Sequence, residues 1–190
     1  MSALVTEHFV LQGTSSSTIS ESGSRVSIYL SALSSGLVAI GFASGSHRAL
    51  EALALTVLPT VFILGCFTIV RLIDTSVANV VAQRRMARIT AYYATLHSSG
   101  APYFEADDRG MRYGRWSLFF TMASMVIVVN SVVGGATLAL VFALAIHAAA
   151  PVPIVVGIAT GVVVLVLSLR YEHRRVTHVV LSGPGGMEPG

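Results

Sequence analysis

The sequence predicts an all-α membrane protein: four transmembrane helices, with helices 2 and 3 extended into a cytosolic antiparallel helical hairpin. Three observations predict it. Four apolar stretches, at about 26–44, 52–70, 124–147 and 154–169, each meet or approach the roughly 20 residues a helix needs to cross about 30 Å of hydrocarbon. The chain is 54% hydrophobic and 11% charged, with a mean hydropathy of +0.75, whereas an ordinary soluble domain carries roughly 25% charged residues. Finally, all 12 basic residues are arginines, and all but one fall on the same side of the four stretches.

In chain order, residues 1–24 hold a Ser/Thr/Gly run that buries too little apolar surface to order itself, so a mobile polar arm is expected there. No basic leader precedes an apolar core, which makes the first span an expected uncleaved signal-anchor. It runs to the short turn Gly45-Ser-His-Arg48. The second helix begins near Ala49, meets Arg71 and Asp74, and continues: residues 72–96 contain neither glycine nor proline, and Ile73, Val77, Ile89 and Leu96 recur at helical spacing. Pro59 inside it predicts a kink, with Thr56 near the freed carbonyl of Leu55. Gly100 and Pro102 break the helix.

The apolar run from Trp116 to Ala150 is too long for one untilted span, so its first part is expected to fold back beneath the membrane, setting residues 116–122 opposite 77–81. A rival reading breaks the run at Gly134-Gly135 into two short spans. Pro151-Val-Pro153 turns the chain into the fourth span, and residues 176–190 read as a mostly disordered tail. The result is one transmembrane domain over residues 25–175. With both termini on one face, that face holds Arg25, Arg71, Arg84, Arg85, Arg88, Arg109, Arg112, Arg115, Arg170, Arg174 and Arg175, against Arg48 alone opposite. The positive-inside rule then places both termini and the 72–122 hairpin in the cytoplasm.

Little of this points to chemistry. The net charge of +3 follows membrane topology, so no nucleic acid is expected as a partner. The single cysteine, Cys66, forbids an intramolecular disulfide. Glu105, Asp107 and Asp108 lack the spacing of a calcium loop, and His173 and His178 lack that of a zinc site. No nucleophile, base and orienting group can be grouped, so no catalytic residue, metal or cofactor is assigned and no enzyme is expected.

Packing and polarity offer more. Small residues recur at every fourth position in the first helix (Ser27, Ser31, Ser35, Ala39, Ala43), in the third (Ser131, Gly135, Ala139, Ala143) and in the fourth (Gly157, Gly161). Such rows let helices approach closely where lipid gives no hydrophobic incentive. They serve contacts within one subunit or a seam between copies. Arg71 and Asp74 lie three apart on one helical face and are expected to pair, with Asn130 beside them, as a polar trio at the inner leaflet. The alternative is that Arg71 snorkels to head groups. Arg84, Arg85 and Arg88, answered by Arg112 and Arg115 on the return limb, are expected to contact anionic lipid head groups or an acidic partner, or simply to set topology.

The stretch Ser20-Glu-Ser-Gly-Ser-Arg-Val-Ser-Ile-Tyr-Leu30, with Asn79-Val-Val-Ala-Gln-Arg-Arg-Met86, resembles a set of small actinobacterial membrane proteins of four spans. That resemblance implies a bacterial origin and carries no established activity. The expected protein is therefore a non-enzymatic bacterial inner-membrane protein that self-associates through small-residue helix faces, forming a pore or relaying a signal through its hairpin. The alternative is an accessory subunit bracing a larger membrane complex.

Overall fold

The computed structural model describes residues 2–96, 122–145 and 151–181. Helix α1 spans Ser2–Phe42, α2 His47–Leu96, α3 Met122–Ala145 and α4 Pro151–Leu181, with a 3-10 turn at Ala43–Gly45. All four helices contain a window long and apolar enough to cross a bilayer. At 1.5 Å per residue the 41 residues of α1 reach about 62 Å and the 50 of α2 about 75 Å, roughly twice the hydrocarbon thickness. The excess of both projects from the same end, because the turn between them makes the pair antiparallel. The Ser46 N–H closes that turn on the Ala43 carbonyl at 3.0 Å, and the Ser46 carbonyl accepts the Leu50 N–H at 2.9 Å to open α2.

The α1–α2 register is even along its length. Gly36 lies against Val57 and Val61, Tyr29 against Gly65, Ser22 against Thr75 and Ser15 against Asn79; Leu11 shares a small core with Ala82 and Ile89. Residues 2–24, expected to be an irregular arm, are thus the first part of α1. Serine and threonine disfavour helices when their hydroxyls compete for the backbone. Here the inward hydroxyls bond within the helix or across to α2, and packing supplies the stability that propensity lacks.

α2 runs unbroken through Arg71 and Asp74 to Leu96. α1 lies along residues 72–79 of its distal half, and Met122, the one described residue of the expected return limb 116–122, lines the same cavity as Asn79. The return limb, with Arg109, Arg112, Arg115, Trp116, Phe119 and Phe120, falls outside the described residues, as do Glu105, Asp107 and Asp108. So do residues 146–150 and 182–190. α4 continues past Arg175 to Leu181, into the segment expected to be tail.

α2 and α3 occupy the middle. α1 packs on α2 and α4 on α3, whereas α1 and α4 do not touch among the described residues. The arrangement is an open row rather than a closed four-helix bundle. Its core, built on Tyr29, Val61, Ile69, Leu72, Ile73 and Ile127, sits where α1, α2 and α3 converge. Each helix turns large apolar side chains outward: Ile28 is 63% exposed, Phe67 70%, Met125 70% and Ile158 64%. Such surface is far beyond the patches a water-soluble monomer shows, and it fits a multi-pass helical membrane protein.

Candidate functional site

The outer face of α1 is open among the described residues. Ser27, Ser31 and Ser35 are exposed, while Ala39 and Ala43 are half-buried. The row drifts because every fourth residue advances about 40° round a 3.6-residue helix, so it winds from the open face toward α2. The open face itself follows a different spacing, alternating four and three: Gly13, Ser17, Ser20, Ser24, Ser27, Ser31, Ser34, Val38 and Gly41, every one exposed. A seven-residue repeat keeps its direction along the helix, drifting only about 20° per repeat. None of the serine hydroxyls on this face has a hydrogen-bond partner among the described residues. The four-residue spacing shares only Ser27 and Ser31 with this repeat.

The inner face of α1 shows what such a surface accepts. Leu11, Ser15, Thr18, Ser22, Tyr29, Leu33 and Gly36 line it, again small or hydroxyl-bearing at most positions, and α2 lies against it. The Ser15 hydroxyl donates to Asn79 Oδ1 at 2.6 Å, and Ser22 Oγ meets Thr75 Oγ1 at 3.0 Å.

The small residues of α3 and α4 are already used. A Cβ on Gly135 would sit 2.6 Å from the Gly157 carbonyl oxygen, and one on Gly157 would sit 2.8 Å from Ala139 Cβ and 2.9 Å from the Gly135 carbonyl oxygen. Gly161 approaches the Ser131 carbonyl in the same way, at 3.1 Å. Backbone meets backbone here, which is what a small-xxx-small pair permits. These residues form a contact within the subunit.

The polar trio does not assemble. Arg71 and Asp74 are exposed and turn to other helices: Arg71 lies 3.6 Å from Glu21 of α1, and Asp74 3.9 Å from Arg175 of α4. Opposite charges on neighbouring helices replace the local pair because the long side chains of Arg71 and Arg175 reach Glu21 and Asp74. Glu21 also binds Arg25 at 2.7 Å, and Arg175 lies over the Tyr171 ring, so a belt of charge links α1, α2 and α4 at one level. Exposed pairs of this kind contribute little. Glu21→Gln is accordingly expected to leave the unfolding temperature in detergent unmoved, as followed by circular dichroism.

Asn130 is fully buried and sits elsewhere, in the core. Tyr29 donates to its Oδ1 at 3.3 Å, and its Nδ2 donates to Cys66 Sγ at 3.5 Å. Gly65 makes room for it, since a Cβ there would collide with the Asn130 side chain. Pro59 lies within α2, where Thr56 donates to the Ala52 carbonyl rather than that of Leu55. Arg85 and Arg88 are exposed on the distal part of α2, Arg84 is half-buried, and Arg112 and Arg115 lie outside the described residues. No group of three or more histidine, cysteine, aspartate or glutamate side chains that could hold a metal occurs among the described residues.

The chain matches no family model, no curated protein and no solved structure. The class is defined by the helices themselves: four segments long and apolar enough to cross a membrane.

Proposed function

We propose that this chain is a non-enzymatic bacterial inner-membrane protein that self-associates through the outer face of α1. The oligomer forms a pore or relays a signal through the α1–α2 projection, which the arginine distribution assigns to the cytoplasm together with both termini. The supporting observation is the likeness between the two faces of α1. The inner face is hydroxyl-rich and holds a helix; the outer one has the same chemistry on a seven-residue repeat, and nothing among the described residues covers it. In hydrocarbon, hydroxyls and small side chains are what bring helices together, and a sustained seven-residue repeat winds two helices into a left-handed supercoil. Copies inserted in the same orientation pair in parallel about a two-fold axis, so each seam residue meets its own counterpart.

Single cysteines at Ser24, Ser27 and Ser31 in a Cys66→Ala background, oxidised in liposomes, are expected to give disulfide-linked dimers. A cysteine at Leu33, half-buried on the inner face against the core, is expected to give none. Uniform absence of linkage, with monomers by native mass spectrometry, would sink self-association. A monomer that co-purifies with other membrane proteins would support the accessory-subunit reading. For the pore version, ion flux through liposomes is expected to fall on Ser27→Leu.

A further inference from the structure

A cavity of about 210 Å³ opens between α1, α2 and the start of α3, beginning beside the Glu21–Arg71 contact, whose chain neighbours Ser22 and Leu72 line it. Thr18, Ser22, Thr75, Ser76 and Asn79 supply its polar lining. Their hydrogen bonds are unevenly spent. Thr18 and Ser22 donate to backbone carbonyls of α1 at 2.8 and 2.9 Å, and Thr75 donates to carbonyls of α2 at 3.0 Å, so each of these oxygens keeps acceptor capacity. The Ser76 hydroxyl and the Asn79 amide N–H groups have no acceptor among the described residues. The lining thus offers donors and acceptors together, and no formal charge.

Charge lies at its edge. Arg25 and Arg71 flank Glu21, leaving an excess of one positive charge. At 3.6 Å the Arg71–Glu21 contact is too long for a direct hydrogen bond, so the Arg71 guanidinium keeps donors for another anion. The uncharged apolar stretches 26–44 and 52–70 end at Arg25 and Arg71, on one side of the cavity. Moving away from the apolar midsection, a molecule would therefore meet guanidinium first and hydroxyls about 5.4 Å later.

We propose that this cavity binds a glycerophosphoryl group carried by an anionic phospholipid. The phosphodiester lies against Arg71 and Arg25, and the uncharged polyol beyond it enters the hydroxyl-lined cavity, where Ser76 and Asn79 donate and Thr18, Ser22 and Thr75 accept. The order of groups along such a lipid, acyl chain then phosphate then alcohol, matches the order along the helices. A choline head group could neither donate to the hydroxyl oxygens nor accept from Asn79. The proposal rests on the membrane placement above, and the two can fail separately.

The test uses the full chain in nanodiscs made of phosphatidylglycerol and phosphatidylcholine in equal amounts, with retained lipid counted by native mass spectrometry. Phosphatidylglycerol is expected to be retained about tenfold over phosphatidylcholine, a preference that a few hydrogen bonds can supply. Ser76→Leu, which fills the cavity, is expected to remove it, while Arg85→Gln with Arg88→Gln, farther along α2, is expected to leave it intact. Equal retention of both lipids by the wild type overturns the proposal. So does a preference that survives Ser76→Leu but vanishes with the two distal arginines, since that is general attraction to anionic surface. Displacement by free glycerol phosphate as readily as by the lipid overturns the lipid source, and it needs no variant that could misfold. Failure of the chain to float with liposomes at all would instead sink the membrane placement.

Discussion

Gly135→Leu is expected to separate α3 from α4 and to cost about 3 kcal/mol or more, seen as loss of the cooperative unfolding transition in detergent and poor accumulation in membranes. The magnitude follows from what stands in the way. The first added carbon alone would lie 2.6 Å from the Gly157 carbonyl oxygen and 3.5 Å from Gly161 Cα, both backbone atoms that no rotamer change can move. Relief requires the helices to part, which also exposes the Ser131, Ala139 and Gly157 contacts. Gly161→Ala, whose Cβ would meet only the Ser131 carbonyl at 3.1 Å, is expected to cost visibly less. Gly41→Leu provides the contrast. Nothing lies within 4 Å of its Cβ position, so the subunit should unfold as the wild type does. Its place on the outer repeat of α1 predicts instead a loss of self-association, which a monomer–dimer measurement reads independently of stability.

That contrast marks where the sequence was readable. The four apolar helices and the unbroken run of α2 to Leu96 were legible, because hydropathy and the lack of glycine and proline over residues 72–96 report directly on the backbone. Residues 2–24 were not, because propensity treats serines as helix-weakening whatever they face. Only the pairing with Asn79 and Thr75, about 60 residues away in the chain, shows that those hydroxyls are satisfied. The small residues of α3 and α4 were found as stripes, but whether a stripe faces inward depends on the neighbour, and spacing alone is silent on that. The Arg71–Asp74 pair was local arithmetic, and Glu21 and Arg175 arrived from other helices to replace it. The outer repeat of α1 was legible in principle: Ser17, Ser20, Ser24, Ser27, Ser31 and Ser34 stand in the sequence at alternating steps of three and four. It stayed hidden because the inner face carries similar residues, so no contrast between faces drew attention to either.

Asn130→Leu is expected to destabilise the subunit by about 2 kcal/mol, and adding Tyr29→Phe is expected to recover part of that loss. Leucine is close to asparagine in shape, and Gly65 leaves the space that either needs, so packing changes little. What changes is polarity. The Tyr29 hydroxyl, on a residue with no exposed surface, loses the acceptor it holds at 3.3 Å, and an unpartnered buried donor costs about 1–3 kcal/mol. Removing that hydroxyl in the double variant removes the orphaned group, and apolar replacement of both partners can be nearly neutral. Unfolding of the wild type, the two single variants and the double variant in detergent gives the coupling directly. If the double variant is as unstable as the sum of the singles, the two side chains act independently. A positive coupling would mean that Asn130, a fully buried amide in the core where α1, α2 and α3 meet, fixes which faces of those helices turn inward. The same choice leaves the serine repeat of α1 turned outward, so the buried amide and the open seam are two consequences of one helix rotation.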